Sequence, residues 1–171
     1  MKTITIDIET RSGVDLAKSG VYRYAKSPNF EVLLFACSID GSAVEIFDLA
    51  NGEELPMFII QAIQNENVQK RAWNASFERI CLSRLVLKDC NLYLSPVGWR
   101  CTMMQAAYLG LPFSLEQAGQ VLGIEKAKLA DCRRLINKFS KPQKHIDQIT
   151  LGMQDPDWEL FKAYNRRDVE S

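Results

Sequence analysis

The hydrophobic pattern divides the chain into an opening with period two and a longer stretch with helical period. From Thr3 to Glu9 the sequence TITIDIE alternates strictly, with Ile4, Ile6 and Ile8 on one face and Thr3, Thr5, Asp7 and Glu9 on the other, which predicts a strand. The run Glu31 to Ile39, the dipeptide Asp40-Gly41 and the stretch Ala43 to Leu49 predict two antiparallel strands joined by a tight turn, because Asp-Gly suits the left-handed backbone of hairpin turns. The first of this pair is apolar on both faces and is expected inside the sheet. The polar, Gly- and Ser-containing segment from Arg11 to Asn29 is expected to form a long loop.

Leu55 to Ile63 then reads as a helix, Val68 to Trp73 as a short strand, and Ser76 to Leu87 as a second helix. Thr102 to Gly110 and Ser114 to Gly123 predict two more, the latter with a Ser114/Gln117 capping pair and Gly123 as its stop. Asp155-Pro156 signals a cap and first-turn proline, and the last helix is expected to run through WELFKAYNRRDVES to the end of the chain. Strand-helix alternation after a meander predicts an α/β domain built on a mixed sheet.

At 171 residues the expectation is one domain over residues 1–171, on a prior of roughly 150 residues per domain. Hydrophobic residues at 47% and charged residues at 25% argue against wholesale disorder and fibrous repeats. The five cysteines, Cys37, Cys81, Cys90, Cys101 and Cys132, are odd in number and form no CxxC pair, so reduced thiols in or near the core are expected. Asp7 falls where a signal peptide needs an apolar stretch, and no apolar run approaches the ~20 residues that span a bilayer. A soluble, cytoplasmic protein without a membrane partner is therefore expected. Lys and Arg number 21 against 21 Asp and Glu, so any anionic partner must be held by local charge or by metal.

Candidate chemistry rests on carboxylates. Asp7 and Glu9 share a strand face about 7 Å apart, where like charges raise a pKa or recruit a divalent cation; an acidic solvent face is the plainer alternative. Tyr164 and Asp168 stand four apart on one face of the last helix, as either a water-orienting pair or an amphipathic surface. Glu78 falls in the first turn of the helix after the fourth strand, with Asn74 four residues before it. An acid there can serve chemistry or simply stabilise the helix N-terminus.

DIET (Asp7 to Thr10), NASFE (Asn74 to Glu78) and YNRRD (Tyr164 to Asp168), in this order and spacing, resemble the three motifs of the DEDD 3′-to-5′ exonucleases, with the tyrosine marking the DEDDy branch. The segment GVYRYAKSP (Gly20 to Pro28) and the hairpin after it further resemble the proofreading domain of bacteriophage-type family A DNA polymerases. The histidine branch is excluded, since the only histidine, His145, has Thr150 five residues on. The resemblance implies a ribonuclease H-like fold, with three antiparallel strands plus parallel ones flanked by helices. It implies two divalent ions, Mg²⁺ or Mn²⁺, held by Asp7, Glu9, Glu78 and Asp168, and a water positioned by Tyr164. It also implies contacts from Ile8, Thr10, Asn74, Phe77 and Tyr164 to the 3′ end of single-stranded DNA, and a polymerase domain in cis. Glu78 stands where the motif usually has aspartate, which moves the carboxylate by roughly 1.5 Å, a distance that matters in catalytic sites. The alternatives are a degenerate exonuclease fold that only binds nucleic acid or supports a polymerase, and a 3′-to-5′ exoribonuclease.

For substrate, Lys126 to Lys144 carries seven basic residues against Asp131, a tract able to follow a phosphate backbone or to form a solvated helix face. Arg166 and Arg167 lie closer to the chemistry, and Tyr22, Tyr24, Phe30 and Phe77 are candidates for stacking on frayed bases or for core packing.

Overall fold

The computed structural model describes residues 1–87, 91–124, 132–141 and 155–170. Its centre is a five-stranded mixed sheet in the order β3-β2-β1-β4-β5. Strands β1 (Thr3–Arg11), β2 (Glu31–Ile39) and β3 (Glu45–Asp48) form the antiparallel meander, and β4 (Gln69–Ala72) and β5 (Trp99–Cys101) add parallel to β1. The hairpin turn is the expected one: Asp40 (φ 49°) and Gly41 (φ 82°) are both left-handed, and Ser42 N–H closes on the Ile39 carbonyl at 2.8 Å. Strand β5 carries no sequence signal strong enough to have been expected.

Both faces of β2 are buried, as its uninterrupted apolar run requires. Phe35 and Cys37 join Ile4, Ile6 and Ile8 under α2 (Met57–Gln64) and α3 (Ala75–Leu87). Leu33 and Leu34 pack on the other face against Leu135 and Phe139 of α6 (Cys132–Phe139) and Trp158 and Phe161 of α7 (Asp157–Glu170). Adjacent residues reach one cluster because the register skips Leu33: Glu9 pairs with Leu34, but Thr10 pairs with Val32. Such a bulge sharpens the local twist and re-aims side chains, and it lies where β1 meets the site described below.

The Arg11 to Asn29 segment departs from expectation, since it contains α1 (Leu16–Ala25), with Asp15 capping the Lys18 N–H at 3.2 Å. Gly20 (φ 73°, ψ 161°) breaks this helix midway, and that break disrupts the apolar spacing that would have revealed it. Helices α4 (Thr102–Tyr108) and α5 (Leu115–Val121) follow β5, with Ser114 capping α5 through the Gln117 N–H. Asp155 caps α7, accepting from the Asp157 N–H at 2.9 Å, with Pro156 between them. Cys37 and Cys81 are buried and Cys101 is half-buried, all unpaired; Cys90 and the Cys132 side chain lie outside the described residues. No helix among the described residues is long and apolar enough to cross a membrane.

Gly98 sets β5 beside β4. Its carbonyl accepts the Lys70 N–H at 2.8 Å, its φ is +80°, and a Cβ there would come within 2.6 Å and 2.8 Å of the Glu66 and Val68 carbonyl oxygens. Left-handed strain and two backbone clashes together should make Gly98→Ala destabilising by on the order of 3 kcal/mol. Chemical denaturation checks this, and a midpoint within error of wild type would contradict it.

Candidate active site

The carboxyl ends of parallel strands are where open α/β sheets place ligands, and here the ends of β1 and β4 open into a cleft of about 600 Å³. Asp7, Ile8, Glu9 and Thr10 of β1 line it, together with Asn74, Phe77 and Glu78 at the start of α3 and Tyr164 and Asp168 of α7. The nine site residues that the resemblance implied therefore line one cavity. Three distant stretches of chain meet there because β1 is central, α3 follows its parallel neighbour β4, and α7 packs across β1 and β2.

Local structure explains each placement. Glu9 and Glu78 are buried at 8% and 4% exposure, and Glu78 enters from the first turn of α3. Asn74, which opens that helix by accepting the Phe77 N–H at 2.8 Å, has φ 62°, one of two non-glycine residues in the left-handed region among those described. Asparagine tolerates that conformation better than most residues, and strain of this kind gathers at functional sites. Thr10 is buried, its hydroxyl 2.9 Å from the Tyr24 hydroxyl. The Ile8 side chain belongs to the core, so only its backbone is left to meet a ligand.

Electrostatically the four carboxylates are one group. Burial pushes the pKa of Asp7 well up, and Asp168 adds to it. Burial does the same to Glu9, followed by repulsion from Asp7, Asp168 and Glu78, while the Ser140 hydroxyl acts in the opposite sense. Glu78 is raised by burial and then by Asp7. Asp168 is raised to about 6, chiefly by burial, against the lowering effects of a Tyr164 hydrogen bond and the Arg167 charge. Tyr164 is raised far above the ordinary phenol value, so it is held as a hydrogen-bond donor.

Such a cluster suits a cation. The leading influences on Asp7, Glu9 and Glu78 include no Lys or Arg, and among the described residues Lys141 is the only basic one lining the cleft. Glu78 Oε2 is buried without a hydrogen-bond partner among the described residues. Hard carboxylate oxygens with unmet charge and an orphaned lone pair fit a Mg²⁺- or Mn²⁺-type ion. Among the described residues no three such side chains close to metal-holding distance. The donor chemistry, rather than a closed shell, is what fits.

Stability should therefore vary with pH in an unusual direction when divalent ions are chelated. Folded pKa values raised above unfolded ones give stability that is full below about 4 and is lost as pH rises through the folded values, including that near 6 for Asp168. Groups shifted the other way, Asp40, Asp155 and Asp157, lose their contribution only below the ordinary carboxylate range. Melting temperature in chelator should fall from pH 5 to pH 8, with the Asp168 share on the order of 2 kcal/mol. A flat or rising profile would contradict this reading.

The other candidate residues are spread more widely. Arg134 and Lys138 of the basic tract are drawn to Asp157, with Lys138 also 2.5 Å from Asp155, so these charges tie α6 to α7. Lys141 of that tract lines the cleft, whereas Lys126, Lys128, Asp131, Lys144 and His145 lie outside the described residues. Of the four aromatics, Tyr24 and Phe77 line the cleft, while Tyr22 meets Tyr93 edge-on and Phe30 packs against Tyr24. Arg166 reaches the Val44 carbonyl at 3.1 Å. The sequence reading missed the entry to α1, which walls the cleft through Val14, Asp15, Leu16 and Ala17, and also Trp73, Ser140 and Asn165. Asn165 sits inside YNRRD one residue after Tyr164, but an amide there carries no signal until its partner is known.

No protein-family model matches the sequence. A DNA polymerase of Bacillus phage SP02 is 44% identical over 176 aligned positions, covering 99% of this chain and 26% of the polymerase. The chain is similar to one part of that phage DNA polymerase. It spans about a quarter of that relative's length. Its fold is shared with Brucella melitensis NrnC with bound Mg²⁺, at 12% identity and a TM-score of 0.53, covering 99% of this chain and 74% of that one. A structure described as the apo form of the nuclease is similar at 15% identity and a TM-score of 0.53, covering 98% and 70%. These likenesses agree with the mixed sheet and its helical flanks.

Proposed function

We propose that this chain is a metal-dependent 3′-to-5′ exonuclease of the DEDDy type, acting on single-stranded DNA ends as the proofreading domain of a longer, cytoplasmic DNA polymerase. The observation that carries the reading is the buried cluster of Asp7, Glu9, Glu78 and Asp168, four acids from three chain segments around one cleft. The polymerase relative supports DNA as the substrate and a polymerase domain in cis.

In this reading Asp7, Glu9, Glu78 and Asp168 hold two divalent ions, Mg²⁺ or Mn²⁺. Bound there, the ions would neutralise charge developing at the scissile phosphate and lower the pKa of an attacking water. Tyr164, protonated and hydrogen-bonded to Asp168, orients that water from α7 and does not itself take the proton. Thr10, Asn74, Phe77 and the Ile8 backbone hold the terminal nucleotide, with Phe77 offering a half-buried ring face for stacking. Phosphodiester cleavage asks for alignment and charge stabilisation more than covalent participation, which suits a wall of fixed oxygens and few nucleophiles.

Digestion of matched 5′-labelled single-stranded DNA and RNA with Mg²⁺ or Mn²⁺ tests the reading. A ladder shortening from the 3′ end of DNA, abolished by chelator, is expected. Preferential RNA trimming would move the assignment to an exoribonuclease, and no cleavage by folded protein would move it to a binding scaffold.

A further inference from the structure

Asn165 alone among the polar side chains of α7 is fully buried, at 0% exposure. It shares a helix face with Phe161 and Val169, both buried, where packing by itself would favour an apolar residue. Its Nδ2 donates to Asp7 Oδ2 at 2.6 Å, joining α7 to the middle of β1 across 158 residues of sequence. Its Oδ1 is buried without a hydrogen-bond partner among the described residues. An orphaned buried acceptor costs about 1–3 kcal/mol, so stability gives little reason for an amide here.

We propose that Asn165 is a positioning residue for the carboxylate centre: it fixes one oxygen of Asp7 and leaves the other to a divalent cation. This inference rests on the metal-dependent reading above. Two features of the amide suit the task. It donates a hydrogen bond to a group that, when ionised, can only accept, and it brings no charge. Lys or Arg at this position could also hold Asp7, but its positive charge would repel the cation and cancel the field the four acids create. The bond also couples Asp7 to Asp168 and Tyr164, since all three of Tyr164, Asn165 and Asp168 move with α7. Hydrogen-bond partners of metal-binding carboxylates act on affinity through orientation, and their loss typically costs about 10- to 100-fold.

The test is Asn165→Leu, near in shape but without the donor, compared with wild type in three measurements: melting in chelator, Mn²⁺ binding by titration calorimetry, and cleavage kinetics on single-stranded DNA. Expected are a melting temperature close to wild type, Mn²⁺ affinity weaker by about 10- to 100-fold, kcat reduced at fixed Mn²⁺ with KM for DNA little changed, and partial recovery at high Mn²⁺. A variant that binds Mn²⁺ and cleaves as wild type does, or that loses both only in proportion to its unfolded fraction, would overturn the proposal alone. Wild-type protein that binds no Mn²⁺ would overturn the metal reading and this inference with it. If the leucine variant does not fold, Asn165→Ala, which leaves only a small void, gives the same comparison.

Discussion

Asp7→Ala is expected to lower exonuclease turnover by at least about 10³-fold at saturating Mg²⁺ while leaving the protein folded. Asp7 stands between the other acids: Glu9 and Glu78 are both raised by it, and it is itself raised by Asp168. A charge at that crossing governs how strongly the site draws cations, and losing several kcal/mol of transition-state stabilisation corresponds to three or more powers of ten in rate. Two effects on stability oppose one another in chelator. Alanine relieves repulsion among buried acids, but it strands the Asn165 amide, whose Nδ2 loses its 2.6 Å acceptor. Each effect is on the order of 1–3 kcal/mol, so the melting temperature should stay within a few degrees. Turnover above a tenth of wild type in the alanine variant would contradict the role given to Asp7.

Phe161→Ala should produce the largest loss of stability, about 3–5 kcal/mol in chemical denaturation. Phe161 is 0% exposed and lies at the centre of the aromatic group that fastens α7 to the sheet. Its ring centroid is 5.2 Å from Phe139, 5.6 Å from Trp158 and 6.4 Å from Tyr164, the last pair stacked at 18°. The effect reaches function through that last contact, because Tyr164, Asn165 and Asp168 reach the cleft on the same helix. The folded fraction of the variant should therefore cleave more slowly than wild type, even in conditions where little of it is unfolded. A loss below about 1 kcal/mol would contradict this picture of how α7 is held. The anchor has a second strand in Trp158, whose Nε1 donates to Asp48 Oδ2 at 2.7 Å at the end of β3.

The sequence made the site more legible than the scaffold around it. Asp7 and Glu9 announced themselves by period two in a run that could only be a strand, and Asp40-Gly41, Ser114 and Asp155-Pro156 each marked a turn or cap that forms as expected. Local chemistry was enough in those places because the deciding contacts lie within a few residues. Where the deciding contact is distant, pattern reading fell short. Gly20 splits α1 so that no window holds a full helical period. Leu33 bulges from β2 only because β1 changes register beside it. The basic tract could serve phosphates or form a solvated face, and only the fold brings Asp155 and Asp157 to its Arg134 and Lys138. Asn165 could be recognised only after folding brought it to Asp7.

The measurement that bears most directly on the central claim is anomalous diffraction from crystals of the wild-type protein soaked in Mn²⁺. The account predicts anomalous peaks in the cleft between Asp7, Glu9, Glu78 and Asp168, two in number once a DNA 3′ end is bound, with the carboxylates drawn inward around them. Manganese found only elsewhere on the surface, with these four side chains still apart, would contradict it.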